Sequence, residues 1–216
     1  MITIDVVHDL ICPWCRIGEH HLDAALSQWK GEAVSVRLHA YQLAPEIPAE
    51  GVDYREYLSR KFGGPDALRG AHERLEAVGR PLGITFHSDR IRRLPNTLRG
   101  HAMIAAVDER LRIPLLRALQ RAYFEEGQDV GSTAVLAKIG ESVGLTPEAA
   151  HSAAENADLD AARKDAREML ELGVTGVPAF IFDGRYQLVG AQPAEALVRV
   201  LDRVVADRRS GVAAAN

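Results

Sequence analysis

The stretch "HDLICPWCRIG", residues 8–18, contains both cysteines of the 216-residue chain. Cys12 and Cys15 enclose Pro13 and Trp14, so they form a C-x-x-C pair. Such a pair serves as half of a metal site, as a short structural disulfide, or as a redox pair that opens and closes. The structure expected around the pair helps to separate these three kinds of site.

A strand is predicted before the pair and a helix after it. Ile2, Ile4 and Val6 alternate with more polar residues over 2–7, which is typical of a strand with one buried face. Pro13 suits the first turn of a helix, and apolar residues then recur at helical spacing to about Trp29. Alternation over residues 33–39 predicts a second strand. A C-x-x-C that begins the first helix of a βαβ unit is typical of a thioredoxin-like redox motif.

The rest of the chain contains a helical block and then a second mixed segment. We expect helices at 158–172 and from Pro193 onward, with strands at Ala179–Phe182 and Tyr186–Val189 joined by an Asp183-Gly184 hairpin turn. Helix starts inside the block are expected at Asp53, Pro65, Asn96, Pro114, Ser132 and Thr146. The order predicts an α/β, thioredoxin-like fold with a large all-helical insertion. Its redox domain is expected at 1–44 and 157–210, and its insertion domain at 45–156.

Composition argues against several classes of partner. A net charge of −4 and a pI near 6.1 give no reason to expect nucleic acid or an anionic membrane surface. No apolar run reaches the roughly 18 residues of a membrane span, and the first residues lack the pattern of a secretory signal. We therefore expect a cytoplasmic protein. Thiols are kept reduced in that compartment, so a C-x-x-C there is more often catalytic or metal-binding than a structural disulfide.

The chain resembles the FrnE-like branch of the DsbA oxidoreductases. The segments that carry the resemblance are "CPWCRIG", "YQLAPEIPAEG", "YLSRKFG", "PNTLRGH", "RAYFEEGQDV" and "GVTGVPAFIFDGRYQLVGAQP", between residues 12 and 193. Two residues depart from the pattern: Arg16 stands where an aromatic residue is common, and His8 where a small polar residue is common. Both departures lie beside the thiols, so they bear on the redox potential.

The resemblance implies a thiol–disulfide oxidoreductase or isomerase that needs no cofactor. Its expected partners are thiol or disulfide protein substrates, with glutathione as a further candidate. Pro13 and Trp14 would support the cysteines from within the motif. Val177 and Pro178 would form a loop with a cis peptide bond, which faces the C-x-x-C pair.

The two cysteines are expected to play different parts. Cys12 lies at the predicted helix N-terminus, where backbone N–H groups and the helix dipole favour a thiolate. A stabilised thiolate is also a good leaving group, which makes the disulfide a better oxidant. Cys15 lies one turn further on and is more shielded, so we expect it to resolve the mixed disulfide.

Other functions remain open from the sequence. Zinc needs four ligands, of which the two cysteines supply two, with His8, His20 and His21 nearby in sequence. No metal site is predicted, because no second C-x-x-C exists. A structural disulfide would close too small a loop to constrain the unfolded chain much.

Two further alternatives concern the whole protein. One is a glutathione-linked isomerase or transferase of the kappa or hydroxychromene-carboxylate isomerase type, although those relatives usually have Ser in the leading position. The other is a metal-binding or chaperone-like interaction protein that uses the helical block.

Several polar residues are candidates for a cleft beside the thiols. Asn96, Thr97 and His101 of "PNTLRGH" either cap and pack a helix or, with His8, line such a cleft. The carboxylates of Asp5 and Asp9 flank the motif, and a buried one of the two would be able to shuttle protons for Cys15. Asp5 alternates with the apolar face of its strand, so we expect it to be exposed to solvent.

Overall fold

The computed structural model of the protein describes residues 1–210. The chain divides into two units of dense internal contact, one of Met1–Tyr41 with the described chain from Ala166 onward, the other of Gln42–Asp165. The boundaries expected from the sequence, after residues 44 and 156, differ from these divisions. The second division falls within a helix.

The first unit contains a four-stranded sheet and its helices. Its elements are β1 (Ile2–His8), α1 (Pro13–Gln28), β2 (Val34–Ala40), the end of α8 (Leu159–Glu171), β5 (Ala179–Phe182), β6 (Tyr186–Val189) and α9 (Ala194–Arg209). The strand order is β2-β1-β5-β6. β1 runs parallel to β2 and antiparallel to β5, and β6 is antiparallel to β5. The predicted thioredoxin-like fold is confirmed.

Both faces of the central strand β1 are buried. Ile2, Ile4 and Val6 pack with Leu22 of α1, Leu197 of α9 and other residues of one apolar cluster. On the other face, Val7 packs with Met169 of α8. β1 is thus a rigid support for the turn that follows it, where the cysteines begin.

The hairpin between β5 and β6 has the turn predicted from Asp183-Gly184. Asp183 has a φ of 53° and Gly184 a φ of 65°, and the Arg185 N–H closes the turn on the Phe182 carbonyl over 2.9 Å. Phe182 pairs with Tyr186, so Arg185 also belongs to the connection, which has three residues rather than the predicted two. The Asp183 carboxylate also accepts a hydrogen bond of 2.9 Å from the Thr3 backbone N–H. The turn therefore anchors the hairpin to β1, beside the pairing of Ile4 with Phe182.

The second unit is mainly helical. Its elements are β3 (Val52–Asp53), α2 (Tyr54–Phe62), α3 (Pro65–Gly79), a 3-10 turn (Arg80–Leu82), β4 (Arg93–Leu94), α4 (Leu98–Ala106), α5 (Glu109–Phe124), α6 (Thr133–Ser142), α7 (Pro147–Glu155) and the start of α8. The caps predicted at Asp53 and Thr146 are confirmed, since both side chains accept backbone N–H bonds.

Three details of the insertion differ from expectation. It is not all-helical, because β3 and β4 form an antiparallel pair. α4 begins at Leu98 rather than Asn96, whose side chain instead accepts the Leu98 N–H. α5 begins at Glu109 rather than Pro114, because Asp108 caps the helix through the Arg110 N–H, and Pro114 lies inside it.

None of the helices among residues 1–210 combines the length and the apolar character that crossing a bilayer requires.

Candidate functional site: a dithiol at the N-terminus of α1

Cys12 is the N-cap residue of α1. Its backbone is extended, with φ −86° and ψ 110°, and Pro13 follows at the start of the helix. The Cys12 N–H donates to the Asp9 carbonyl over 3.1 Å, which closes the turn between β1 and α1. The Cys15 N–H donates to the Cys12 carbonyl, also over 3.1 Å. Cys12 therefore lies where the first N–H groups of a helix favour negative charge.

The Val177-Pro178 loop lies against the Cys12 sulfur. The Val177-Pro178 peptide bond is cis, as the resemblance predicts. The Cys12 thiol donates to the Val177 carbonyl, with 3.6 Å between Sγ and O, although 165 residues separate the two. The Gly190 N–H donates to the Pro178 carbonyl over 2.7 Å, which fixes the loop to the end of β6.

Cys15 is the more shielded thiol. Its side chain is fully buried, whereas Cys12 is 3% exposed, and no disulfide joins the two. Burial raises the pKa of the Cys15 thiol well above its usual range, and hydrogen bonding to Cys12 and the nearby charge of Glu19 add to this. A backbone hydrogen bond from Asp9 acts in the opposite direction. Cys15 is therefore a protonated thiol at neutral pH.

Helix α1 and the Val177-Pro178 loop approach each other at Gly18. A Cβ atom at Gly18 would lie 2.7 Å from Cγ of Pro178 and 3.2 Å from Cζ of Phe180. Real Cβ atoms do not approach that closely, so only glycine fits here without a shift of the loop. The position of the Val177 carbonyl over Cys12 thus depends on the absence of a side chain at Gly18, six residues further along the chain.

The other predicted residues of the motif differ in exposure. Trp14 is 45% exposed, which leaves an apolar surface beside the two thiols. Pro13 is half-buried at the first turn. His8 is buried at the end of β1, and its carbonyl accepts the Tyr41 N–H over 2.9 Å.

The expectation that Asp5 is exposed is wrong. Asp5 is only 8% exposed, and Arg37 Nε and His39 Nε2 of β2 lie 2.7 and 3.1 Å from its Oδ1. Burial alone would raise the pKa of Asp5, but the hydrogen bonds and charges of His39 and Arg37 outweigh it and hold the pKa below its usual value. Asp5 therefore ties β1 to β2 and is committed to these two partners.

The "PNTLRGH" residues lie in the second unit. Asn96 accepts the Gln42 side-chain N–H over 3.2 Å and donates to the Ile47 carbonyl over 2.6 Å. These bonds connect the loop before α4 to the segment 42–47. Thr97 and His101 are both buried, at the start of α4 and within it. These contacts suit the packing role considered for Asn96, and the role of all three in a cleft stays a prediction.

The sequence interpretation missed Glu19 and Gly18. Cys15, Glu19 and Leu22 follow one another at intervals of four and three residues, and all three are buried on α1. A glutamate within an apolar stripe of helical spacing was a usable signal, because glutamate is rarely buried without a reason. The close approach at Gly18 had no local signal, since Pro178 is 160 residues away.

The described residues contain no group of three or more His, Cys, Asp or Glu side chains arranged to hold a metal ion. His21, one of the histidines considered beside the cysteines, has its Nδ1 atom 2.9 Å from the Gln192 carbonyl oxygen.

Comparison with known proteins places this site in a family. The model of the DSBA-like thioredoxin domain matches residues 3–202. The fold is similar to that of a probable DsbA oxidoreductase, SCO1869 from Streptomyces coelicolor, with a TM-score of 0.85, 25% identity and coverage of 100% of this chain and 93% of that one.

Two further proteins are similar to this chain, one in structure and one in sequence. The cytosolic disulfide reductase DsbM from Pseudomonas aeruginosa, in a structure with GSH, has a TM-score of 0.63 and 26% identity over 93% of this chain and 99% of its own. The uncharacterized protein YwbO of Bacillus subtilis (strain 168) is 25% identical over 183 residues, which are 83% of this chain and 86% of YwbO. With the dithiol and the cis-proline loop described above, the match over residues 3–202 shows that the chain belongs to the DSBA-like thioredoxin domain family.

Proposed function

We propose that the protein is a thiol–disulfide oxidoreductase or isomerase of the FrnE type, in which Cys12 is the nucleophile and Cys15 the resolving thiol. The observation that carries the proposal is the asymmetry of the pair. The Cys12 sulfur lies at the N-terminus of α1, 3.6 Å from the Val177 carbonyl, while Cys15 is fully buried behind it.

The reaction moves electrons between sulfur atoms only. The Cys12 thiolate attacks one sulfur of a substrate disulfide, and the other leaves as a thiolate, which gives a mixed disulfide. Cys15 then loses its proton and attacks the Cys12 sulfur. The Cys12–Cys15 disulfide forms, and the second substrate thiolate leaves. The reverse sequence oxidises a dithiol, and neither direction requires a cofactor.

The surroundings of Cys12 suit an extended polypeptide. Pro178 has no backbone N–H, so it does not compete for the Cys12 sulfur. The Val177 backbone provides groups that can pair with an added strand, and the exposed ring of Trp14 provides an apolar contact. These features support protein substrates with thiols or disulfides.

Two further parts of the proposal have support from a relative. Glutathione is a candidate small partner, because DsbM has a structure with GSH. A cytoplasmic location is likewise proposed from the similarity to DsbM, a cytosolic reductase.

Single substitutions of the cysteines test the roles. Cys12→Ser is expected to abolish the reduction of insulin, because no thiolate remains at the helix N-terminus. Cys15→Ser is expected to leave a long-lived mixed disulfide on Cys12, which mass spectrometry detects. In the parent protein, thiol labelling across glutathione redox buffers should show reversible conversion between dithiol and disulfide.

The outcomes separate this function from its alternatives. Equal accumulation of adducts in both variants would reject the assignment of roles. Full activity in Cys15→Ser would indicate glutathione-linked chemistry that uses a single thiol. A pair that never oxidises would reject the proposal altogether.

A further inference from the structure

A buried carboxylate lies one helical turn beyond the resolving cysteine. Glu19 is four residues after Cys15 on α1, and only 8% of its surface is exposed. Residues at this spacing are neighbours on one helix face. The function proposed above assigns no role to Glu19, although a glutamate is rarely this buried without a reason.

The resolving step creates a need for a base at this place. In the mixed disulfide, the Cys12 sulfur is bonded to substrate and holds no proton or charge. Cys15 still carries its proton, because burial raises the pKa of this thiol. Its side chain has no exposed surface, so bulk water does not reach it in this structure. The proton therefore has to pass to a group within the protein.

The groups that affect the pKa of Cys15 limit the candidates for the base that receives its proton. They are the Cys12 thiol, a backbone hydrogen bond from Asp9, and the Glu19 carboxylate. Of these three, only the carboxylate accepts a proton when Cys12 is bonded to substrate. The other buried titratable side chains on β1 and the turn are Asp5, His8 and Asp9. Asp5 is committed to Arg37 and His39, which leaves His8 and Asp9 as the rivals to Glu19.

We propose that Glu19 accepts the proton of Cys15 when this thiol resolves the mixed disulfide on Cys12. The S–H proton moves to the Glu19 carboxylate, and the sulfur electron pair forms the bond to Cys12. The bond between Cys12 and the substrate sulfur breaks, and its electron pair leaves with the substrate as a thiolate. The substrate thiolate then takes up a proton from solvent, and Glu19 releases its own. The proposal rests on the roles of Cys12 and Cys15 given above.

Loss of the Glu19 carboxylate has two opposite effects on the rate at which Cys15 resolves the mixed disulfide. Without the base, resolution depends on the small fraction of Cys15 that is already a thiolate, so the rate of the resolving step falls at low pH. Without the negative charge, the pKa of Cys15 falls, so its thiolate is more abundant at high pH. The pH profiles of Glu19→Gln and the parent should therefore cross. A role confined to packing would give no such crossing.

Stopped-flow mixing of the reduced protein with Ellman's reagent separates the two steps. The first coloured thiolate is released when Cys12 attacks, and the second when Cys15 resolves. That leaving group is acidic and needs no proton, so the second phase reports on Cys15 alone. We expect Glu19→Gln to leave the first phase within a few-fold of the parent. Its second phase should be slower by ~10- to 100-fold at about pH 6, and equal or faster at about pH 9.

Two further variants of α1 serve as controls, one for the loss of a negative charge and one for the loss of the carboxylate. Asp23→Asn removes an exposed carboxylate from the same helix, and its second phase should follow the parent. Glu19→Asp keeps a carboxylate on a shorter side chain. It should slow the second phase at about pH 6 less than Glu19→Gln does, and it serves as the test if Glu19→Gln does not fold.

Three results would overturn the proposal. The first is a second phase of Glu19→Gln that matches the parent at both pH values, and the second is one that is slower by the same factor at every pH. The third is a crossing profile in Asp9→Asn or His8→Asn with none in Glu19→Gln. If the parent itself releases no second thiolate, the proposed function fails first, which is a different result.

Discussion

The close approach of α1 to the Val177-Pro178 loop predicts that Gly18→Ala destabilises the protein. The new Cβ would lie 2.7 Å from Cγ and 3.3 Å from Cβ of Pro178, and 3.2 Å from Cζ of Phe180. An ordinary contact between carbon atoms is ~3.5–4.0 Å. The proline ring belongs to a loop fixed at Gly190, and Phe180 belongs to a central strand, so neither moves without cost.

The magnitude follows from two opposing contributions. Alanine is better than glycine inside a helix by about 0.8–1.0 kcal/mol. Overpacking of a well-packed core costs about 1–3 kcal/mol. The net change in the free energy of unfolding is therefore a loss of up to about 2 kcal/mol, where an open site would show a gain of about 1 kcal/mol.

Gly70→Ala is the matched control. Gly70 also lies inside a helix, α3, but a Cβ there meets only the Arg74 guanidinium at 3.5 Å, an ordinary contact. This substitution should raise the free energy of unfolding by about 0.5–1 kcal/mol. Urea unfolding followed by far-ultraviolet circular dichroism compares the two variants with the parent. Fluorescence of Trp14 and Trp29, the two tryptophans of the chain, follows the unit that contains Gly18.

The same substitution is expected to weaken catalysis. Relief of the clash moves Pro178 away from α1, and with it the Val177 carbonyl that lies over Cys12. A misplacement of about 1 Å at a reacting group costs up to about 100-fold in rate, so we expect kcat/KM for insulin reduction to fall by ~10- to 100-fold. If Gly18→Ala stabilises the protein as much as Gly70→Ala and reduces insulin at the parent rate, the contact does not position the loop.

Three further predictions concern buried polar contacts. Arg37→Met should lower the free energy of unfolding at neutral pH by about 1–2 kcal/mol, because the buried Asp5 carboxylate keeps only His39 as a partner. The pKa of Asp5 is lowered in the folded protein. The stabilisation is therefore present above the unfolded pKa of 3.8 and disappears as the pH falls through the folded pKa. Urea unfolding of the parent and of Arg37→Met at several pH values measures this stabilisation. The second prediction concerns His72, whose pKa lies below 6.5 because burial disfavours the imidazolium, so an NMR titration should place its midpoint below that value. Tyr54→Phe removes the hydroxyl that lies 3.0 Å from His72 Nε2. It should lower the free energy of unfolding, measured in urea, by about 1 kcal/mol. An unchanged free energy of unfolding would show that this contact is not a stabilising hydrogen bond.

Local signals were enough to predict most of the elements. The caps at Asp53 and Thr146 and the Asp183-Gly184 turn were predicted because each depends on residues within a few positions of one another. The thioredoxin-like order followed from these boundaries and from the position of the C-x-x-C pair.

The predictions that the structure contradicts concern features that depend on contacts between residues far apart in the sequence. Asp5 is buried because Arg37 and His39, more than thirty residues away, lie on the neighbouring strand. The insertion contains a short β pair because Val52 aligns with Leu94, and neither two-residue strand has a periodicity of its own. No pattern in a single segment reports on such pairings.

Pro114 gives a misleading signal for the start of a helix. Pro114 was expected to begin α5 because proline is favoured in the first turn of a helix. The helix instead begins at Glu109, capped by Asp108, and accepts a proline in its second turn. Both residues are valid start signals, and the sequence alone offered no reason to prefer the earlier one.

The candidate site shows the same division between local and distant causes. The C-x-x-C spacing places Cys12 at the N-cap of α1 and Cys15 in its first turn, which is a local property and accounts for part of the difference between them. The rest comes from the Val177 carbonyl at the Cys12 sulfur, from full burial of Cys15, and from the charge of Glu19. The first two depend on the folding of distant segments against the motif. Glu19 is the exception, because its spacing from Cys15 is visible in the sequence and its effect on Cys15 needs only the helix that both share.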